Sequence, residues 1–413
     1  MVFFSLFLFF LGFTDAFAVT AVFPLPFLFI MSAFFLALFK AYRNKIELYS
    51  VATIISLPLI IFLMISFISF IMQINRIGFT GKGLNHTLSY LVIFVYFSLT
   101  IFCLIVYKVD LNSIYKMISY SLLIVSVFTI IEFVSKNFLG LDQFDSFIPR
   151  LSNSIDFKAS YMIGAGAFIR SRGFTSESGH NALFLLSFLP FMMLSKIKHK
   201  LISIIVVIIA LATTFSAAAM FEMVVAGLSV SLVKIILSRK TIRIKKSNLI
   251  IIYIGIIILI LVVIFTNTLD YLLAYFNGIF NKINLDNSSS AGLRFSRWAN
   301  SLSLVKNNYL FGAGPGISSI FLGTASTNLY IEMFVETGIV GLFFFLWFIT
   351  QAVIKVFKLN NTTKYFYLFS IFVCIIHYFI IGNYWYPWLW VILAITQYTL
   401  LKENITKRGF RVD

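Results

Sequence analysis

Long apolar runs alternate with short polar segments along almost the whole chain. Most runs are close to the length of about twenty residues that an α-helix rising 1.5 Å per residue needs to cross a hydrocarbon core about 30 Å thick. The pattern predicts an all-α integral membrane protein in a single polytopic domain, residues 1–413. Twelve transmembrane helices are predicted, at about 2–20, 22–39, 51–72, 87–107, 114–134, 180–195, 201–216, 218–237, 249–266, 333–354, 365–382 and 386–401.

The composition excludes a soluble globular or a disordered chain, because 60% of the residues are hydrophobic and only 11% are charged. Lysine and arginine outnumber aspartate and glutamate by 32 to 15, which gives a formal net charge of +17. The basic residues concentrate in alternate loops, such as residues 234–246, whereas a nucleic-acid binder clusters them on a polar surface. The positive-inside rule therefore predicts that both termini are cytoplasmic, with membrane lipid as a partner and no nucleic acid.

Two segments on the predicted outer side are much longer than the other loops, residues 135–179 and 267–332. Each contains a pair of arginines, and the pairs are Arg170 with Arg172 and Arg294 with Arg297. Guanidinium stays charged and presents a planar fork that suits phosphate oxygens. A single outer arginine is more often a helix-end anchor or an ion-pair partner, but two pairs in the two long loops together predict a phosphate or diphosphate site.

Glu177 and His180 lie three residues apart at the start of a predicted span, so on a helix they project from one face. A carboxylate and an imidazole near arginine predict general-base chemistry. An N-cap at Ser176 or Ser178 with Glu177 nearby is an equally good explanation of Glu177. For His180 the structural explanation is favoured.

No metal site is predicted, because His86, His180, His199 and His377 are scattered and none has a partner at ligand spacing with a third donor nearby. No cofactor is predicted either. The segment from Gly312 to Gly316 lacks the lysine of a P-loop. It is interpreted as a turn that lets the backbone approach a ligand or another helix.

Three acidic residues, Asp15, Glu132 and Glu222, fall in or near predicted spans, close to their outer ends. A charge in lipid is costly, so these residues indicate a polar vestibule that opens outward. The tyrosines and tryptophans of residues 378–390 surround the last outer turn, and an interfacial aromatic belt is the favoured explanation of them.

Three motifs resemble those of O-antigen polymerases and ligases. They are Arg170-x-x-Gly173-Phe174 with Glu177, then Gly292-Leu293-Arg294-x-x-x-Trp298 followed by Gly312-x-Gly314-x-Gly316, and finally Asn328-x-Tyr330 followed by Glu336-x-Gly338-Ile339-x-Gly341-Leu342. The resemblance covers about residues 165–345. No single motif is specific, and the resemblance depends on their order, spacing and outer placement.

The resemblance implies a GT-C-like glycosyltransferase of the bacterial inner membrane with two long periplasmic loops, the second ending in a segment that re-enters the membrane. Its substrate would be an undecaprenyl-diphosphate-linked oligosaccharide, used without metal or nucleotide sugar, and a chain-length regulator and a flippase would be partners. Ligases usually carry a histidine where this chain has Thr327, which favours the polymerase (Wzy-type) branch. Relatives often place an arginine where this chain has Ala217, so no role is assigned to that region.

The resemblance and the arginine chemistry together assign roles to particular residues. Arg170 and Arg294 are the predicted catalytic residues, which would stabilise a departing diphosphate, and Glu177 is the predicted base or acceptor-positioning group. The predicted substrate-binding residues are Arg172, Arg297, His180, Asn328, Tyr330 and Glu336.

Three alternatives remain open. An O-antigen ligase would transfer the finished glycan to the lipid A core. A flippase or other transporter of the same lipid-linked oligosaccharide needs access from both faces, whereas the ionisable residues here concentrate at the outer ends of the spans, which favours chemistry on one side. A non-enzymatic assembly scaffold predicts that substitution of the loop arginines has little effect.

Overall fold

The computed structural model describes residues 1–18, 23–45, 56–141, 148, 150, 162–163, 166–238, 290–306, 308–359 and 362–407. These residues are mainly helical, with one antiparallel pair of short strands, β1 (Met162–Ile163) and β2 (Gly166–Ala167). The helices are α1 (Val2–Phe9), α2 (Leu25–Arg43), α3 (Leu57–Ile77), α4 (Gly81–Val106, with a π-helical turn at Val95–Leu99), α5 (Leu111–Phe138), α6 (Ser178–Leu194), α7 (Lys200–Thr213), α8 (Ala217–Ser238), α9 (Ser290–Ser303), α10 (Ile317–Phe321), α11 (Leu329–Phe357), α12 (Thr363–His377) and α13 (Trp388–Lys407).

Six of these helices, α2, α3, α4, α5, α8 and α11, are long and apolar enough to cross a membrane. Helices α6, α7 and α12 are shorter but also apolar. This architecture supports the predicted all-α, multi-pass membrane class. The number of twelve spans stays a prediction, because α1 has only eight residues and the predicted span at 249–266 lies outside the described residues.

Helix α6 lies in the centre of the bundle, surrounded by α5, α7, α8 and α12. Of its 17 residues, 13 are buried, as expected of a helix that is apolar on all sides. The peripheral helices differ, since Phe39 of α2 and Leu232 of α8 are well exposed. Such exposed apolar side chains suit a surface that faces lipid tails. The first residues of α6 are polar, and they carry the site described below.

Helix α11 is broken at Gly338, whose φ of 70° and ψ of −174° are not helical. The break separates a short half-helix, Leu329–Thr337, from the longer apolar part that follows. It also exposes carbonyl groups that a continuous helix would use. The Val335 carbonyl accepts from Ala313 N at 2.8 Å, and the Glu336 carbonyl accepts from Gly314 N at 3.2 Å.

The glycine-rich turn that includes Gly312 and Gly314 therefore docks on the break in α11. Gly312, Gly314 and Gly316 all have positive φ, and a Cβ on Gly312 would collide with the Glu336 backbone. This confirms that the segment is a turn that brings backbone close to another helix. The half-helix coincides with the segment predicted to re-enter the membrane, and re-entry itself stays a prediction.

Candidate functional site

The first arginine motif forms a loop, residues 168–177, which we call the Arg loop. Its start is held by Asn137, whose side chain accepts from Ile169 N at 2.6 Å and donates to Ile169 O at 2.9 Å. Its Phe174 ring stacks on both Phe13 and Phe128, with ring centroids 4.0 and 4.3 Å apart. Polar and aromatic contacts thus fix this loop to α5 and to the segment that follows α1.

Glu132 of α5 is the main electrostatic anchor of the Arg loop. Its Oε2 accepts from the backbone N–H groups of Arg172 at 3.0 Å and Gly173 at 2.7 Å. Its Oε1 lies 2.7 Å from Lys136 Nζ and 3.5 Å from an Arg150 guanidinium nitrogen. The carboxylate is fully buried, so this acid, which was expected in a polar vestibule, fixes the backbone of the loop.

The two arginines of the loop differ in their surroundings. Arg170 is half-buried and donates from Nε to the Thr214 carbonyl at 2.8 Å. Arg172 is buried, and one guanidinium nitrogen lies 3.4 Å from the Ser176 carbonyl. Arg170 therefore has the larger accessible part of the two, which suits the predicted role of a group that contacts substrate.

Helix α6 begins at Ser178, and its N-cap residue is Glu177, whose side chain makes no capping hydrogen bond. The Glu177 side chain is instead exposed. The helix thus begins at Ser178, one of the two serines at which the alternative explanation started it, but Glu177 rather than either serine occupies the N-cap position. Glu177 keeps an accessible carboxylate at the end of the Arg loop, and its role as a base stays a prediction.

His180 is buried one turn into α6 and is held on both ring nitrogens. Its Nδ1 lies 3.1 Å from Ser176 Oγ and 3.2 Å from Tyr386 Oη, and its Nε2 lies 2.7 Å from Asn383 Nδ2. Tyr386 also donates to Asp15 Oδ2 at 2.7 Å, and the same oxygen accepts from Ser176 N at 2.8 Å. Asp15 thus belongs to a buried polar network around the imidazole, and the outward-opening vestibule stays a prediction.

Arg294 of the second arginine motif lies within electrostatic range of the same histidine. The charged groups that act on His180 include Glu177, Asp15, His377 and Arg294. Arg294 and Arg297 are three residues apart on α9 and both are half-buried, so they project from one face of that helix. His180 therefore contacts the Arg loop and lies within electrostatic range of Arg294.

A buried glutamate and histidine form a pair close to His180. The Glu222 carboxylate of α8 is 2.7 Å from His377 Nδ1 of α12, and the His180 and His377 rings are 6.5 Å apart. Both members of this pair are buried. Glu222, the third acid expected in the vestibule, is thus paired with a histidine and ties α8 to α12.

A second polar cluster lies on the half-helix of α11, and we call it the carboxylate cluster: His86, Glu332 and Glu336. His86 Nδ1 of α4 is 3.1 Å from Glu336 Oε1 and 3.6 Å from Glu332 Oε1. Both carboxylates are buried. Tyr90 donates to the other oxygen of Glu336, and Ser326 donates to the other oxygen of Glu332 at 3.3 Å.

One loop, residues 378–387, connects the Arg loop network with the carboxylate cluster. Asn383 contacts His180, while the neighbouring Gly382 lies against the Glu332 carboxylate. Tyr384 Oη is 3.4 Å from His86 Nδ1. Burial and the nearby Glu336 and Glu332 carboxylates raise the pKa of the Tyr384 phenol well above its ordinary value, so the hydroxyl stays protonated. The two clusters are thus parts of one polar region.

The aromatic residues of this loop and of the start of α13 do not form the predicted interfacial belt. Tyr384, Tyr386, Trp388 and Trp390 are almost completely buried. Trp388 Nε1 donates to the Leu11 carbonyl at 2.8 Å, and Trp390 Nε1 donates to the Tyr384 carbonyl at 2.7 Å. The prediction was wrong because the last helix lies in the core, where these rings pack and pair their N–H groups.

Asn328 and Tyr330, two predicted substrate-binding residues, make contacts within the protein. Asn328 is the N-cap of α11, and its Oδ1 accepts from Tyr330 N at 3.0 Å and Ile331 N at 3.1 Å. Its Nδ2 donates to the Phe379 carbonyl at 3.0 Å. Tyr330 Oη donates to the Ile375 carbonyl at 2.9 Å. These contacts place both side chains in the frame of the half-helix, and substrate contact by either stays a prediction.

The expectation that no histidine has two further metal-binding donors nearby is also wrong. The ligand atoms of His86, Glu332 and Glu336 all lie within 4.8 Å of one another. Folding brings His86 to an acidic pair far away in the chain, which spacing alone does not reveal. The pair itself carried a signal, since Glu332 and Glu336 are four residues apart and share one helix face.

Residues 201–346 match a family model described as O-antigen ligase. The matched range begins in α7 and ends in α11, so it includes Arg294, the glycine-rich turn and the half-helix. It supports the placement of this chain in the O-antigen polymerase and ligase family, with a membrane glycosyltransferase type of activity. No curated protein matches the chain.

Proposed function

We propose that this member of the O-antigen polymerase and ligase family is a polysaccharide polymerase. It joins repeat units of an oligosaccharide that is linked to undecaprenyl diphosphate, on the periplasmic face of the bacterial inner membrane. The Arg loop and α9 supply the positive charge for the diphosphate of the donor. The orientation that this requires, with both termini in the cytoplasm, comes from the distribution of basic residues.

The observation that supports the proposal is that the Arg loop contacts His180 and that an arginine of the second motif lies within electrostatic range of it. Ser176 of the Arg loop lies 3.1 Å from the imidazole, and Arg294 is among the charged groups that act on it. These two segments are separated by more than a hundred residues in the chain. Arginine is suited to a diphosphate because its fork binds phosphate oxygens through two hydrogen bonds.

In the proposed reaction, a sugar hydroxyl of one lipid-linked unit attacks the anomeric carbon of the glycan on a second lipid diphosphate. The new glycosidic C–O bond forms as the bond between the anomeric carbon and the phosphate oxygen breaks. The hydroxyl proton passes to a base, and the diphosphate leaves with the bonding electrons. Arg170 and Arg294 stabilise the negative charge that develops on this leaving group.

Glu177 is the proposed base or acceptor-positioning group. Its carboxylate is exposed beside the Arg loop and makes no N-cap hydrogen bond, so an acceptor can approach it. Arg172, Arg297 and His180 complete the donor side of the proposed site. Asn328, Tyr330 and Glu336 lie on or at the start of the half-helix and are proposed to frame the acceptor side.

Two alternatives within the same substrate class remain as outcomes of the test. A ligase would transfer the glycan to the lipid A core, and the family model that matches is itself described as a ligase. The polymerase is favoured because Thr327 occupies the position where ligases usually carry a histidine. A flippase for the same lipid-linked unit would need a route to both faces.

The cell-surface glycan of a deletion strain distinguishes these functions. We expect single repeat units on lipid A and no long chains, with full chains restored by the wild-type gene. Complete absence of glycan on lipid A would instead identify a ligase or a flippase. Unchanged long chains in the deletion strain would contradict all three functions.

A further inference from the structure

The carboxylate cluster has a geometry that ordinary packing does not require. In both glutamates one oxygen is held by the protein, Glu336 Oε2 by Tyr90 and Glu332 Oε2 by Ser326. The other oxygen of each, Oε1, faces the same atom, His86 Nδ1. Hydrogen bonds to the outer oxygens are the arrangement that orients carboxylates toward a bound ion.

The carboxylate cluster is deeply buried. Glu332 is 1% exposed and Glu336 is 0% exposed, so two carboxylates are buried beside a single imidazole. Glu336 Oε1 is also buried without a hydrogen-bond partner among the described residues. A buried polar oxygen is unfavourable without a partner, and a cation between these atoms would supply one.

The distances fit one small cation. His86 Nδ1 lies 3.1 Å from Glu336 Oε1 and 3.6 Å from Glu332 Oε1. Ligands that bind zinc tetrahedrally at about 2.1 Å are separated from one another by roughly 3.4 Å. The two observed separations lie on either side of that value, and the three ligand atoms all lie within 4.8 Å of one another, so the side chains can converge on one ion.

We propose that His86, Glu332 and Glu336 bind a divalent transition-metal cation. One imidazole and two carboxylates suit Zn²⁺ or Mn²⁺ better than Mg²⁺, which prefers oxygen ligands and retains its water. The ion joins the half-helix of α11 to α4 and thereby holds the acceptor side of the polar region in place. The proposal concerns binding and stability, and it does not depend on which glycan the protein transfers.

Metal titration of the purified full-length protein in detergent tests this site. After chelator treatment, we expect the wild type to bind about one Zn²⁺ or Mn²⁺ per chain, and Mg²⁺ at least tenfold more weakly. Glu336→Gln and His86→Gln should each weaken binding at least tenfold, because each removes one of three ligands.

His377→Gln is the matched control. His377 is also a buried histidine paired with a glutamate, Glu222, at 2.7 Å, but the metal-binding groups of the described residues do not include this pair. This variant should bind metal like the wild type. Equal loss of binding in His377→Gln and His86→Gln would overturn the site, and so would a wild type that binds no Zn²⁺ or Mn²⁺.

Thermal unfolding keeps the test informative if a ligand variant folds poorly. Metal added back to the chelated wild type should raise its melting temperature, since a ligand that binds only the folded state stabilises it. The same addition should leave the melting temperature of Glu332→Gln nearly unchanged. A wild type whose melting temperature does not respond to Zn²⁺ or Mn²⁺ would contradict the proposal.

Discussion

The Arg loop and the half-helix of α11 contact the same connecting loop, residues 378–387, but their buried acidic side chains have different partners. Below the Arg loop, the buried acid Glu132 is balanced by Lys136 and Arg150. On the half-helix, Glu332 and Glu336 share one histidine. The first region uses its acid to fix the backbone, whereas the second places two buried carboxyl groups beside one imidazole.

This difference indicates that the two sides of the polar region have different roles. The basic side of the polar region is the Arg loop with α9. Hydrogen bonds from Glu132 fix the backbone of Arg172 and Gly173, so in the proposed reaction this side would present guanidinium groups to an anion without rearrangement. The acidic side is the carboxylate cluster. Its two glutamates lie on a helix that is broken at Gly338 and supported by the glycine-rich turn. Donor diphosphate and acceptor sugar would thus be held by opposite sides of the polar region in the proposed reaction.

The largest expected effect is on the basic side. Arg170→Ala and Arg294→Ala should each reduce long-chain glycan by about a hundredfold or more, the usual loss when one transition-state donor is removed. Protein levels should remain normal. Lysine at either position should restore little, because it lacks the planar fork. Chain-length profiles on gels, with immunoblots for the protein, provide the measurement.

Arg76→Ala is the control for these variants, because Arg76 is an exposed arginine in the last turn of α3. It should give wild-type chain lengths. If Arg170→Ala and Arg294→Ala did so too, the basic side would have no role in the chemistry and the comparison between the two sides would fail.

Glu132→Ala tests whether the Arg loop is held by its buried acid. Removal of one partner from a buried ion pair costs about 3–5 kcal/mol, and here two backbone N–H groups also lose their acceptor. We expect a large fall in melting temperature in detergent. Glu177→Ala removes an exposed carboxylate from the same region and should leave the melting temperature within about a degree, since surface changes are usually small. Equal destabilisation by both changes would refute the anchoring role of Glu132.

Gly312→Ala tests the support of the acidic side. Alanine at this position would adopt an unfavourable positive φ and collide with the Glu336 backbone, so we expect a loss of about 2–4 kcal/mol from strain and overpacking. Gly323→Ala is matched in φ, at +71°, but its Cβ meets no atom within 4 Å. It should cost only about 1 kcal/mol. Chemical denaturation in detergent measures both, and equal losses would show that the turn does not support the half-helix.

Asn328→Ala has the smallest expected effect. Loss of the N-cap of α11 should cost about 1 kcal/mol, and Asn328→Ser should recover most of it because serine also caps helices. Thermal unfolding in detergent measures this difference. A loss of glycan polymerisation in Asn328→Ser with unchanged stability would reveal direct substrate contact instead.

The apolar runs predicted the peripheral helices well, because composition alone identifies segments such as α2 and α8 as long apolar helices. The Arg loop was also predictable, since its arginines, glycine and phenylalanine are contiguous in the chain. The glycine-rich turn was correctly interpreted from its residues. In these cases the information is local.

The acidic side was not predictable, because its parts are distant in sequence. His86 meets Glu332 and Glu336 only through the packing of α4 against the half-helix, and no spacing rule links them. The buried aromatic residues of residues 378–390 were misinterpreted for a related reason. Tryptophan and tyrosine occur both at membrane interfaces and in cores, and only the position of α13 in the bundle distinguishes the two.

The most direct test of the central claim is a double-mutant cycle on the binding of a polyprenyl diphosphate to the purified protein. If guanidinium groups of both segments hold one diphosphate, Arg170→Ala and Arg294→Ala should each weaken binding at least tenfold. The double variant should then depart from additivity by more than about 0.5 kcal/mol. Unchanged affinity in the single variants, or additive effects within that margin, would contradict a shared site.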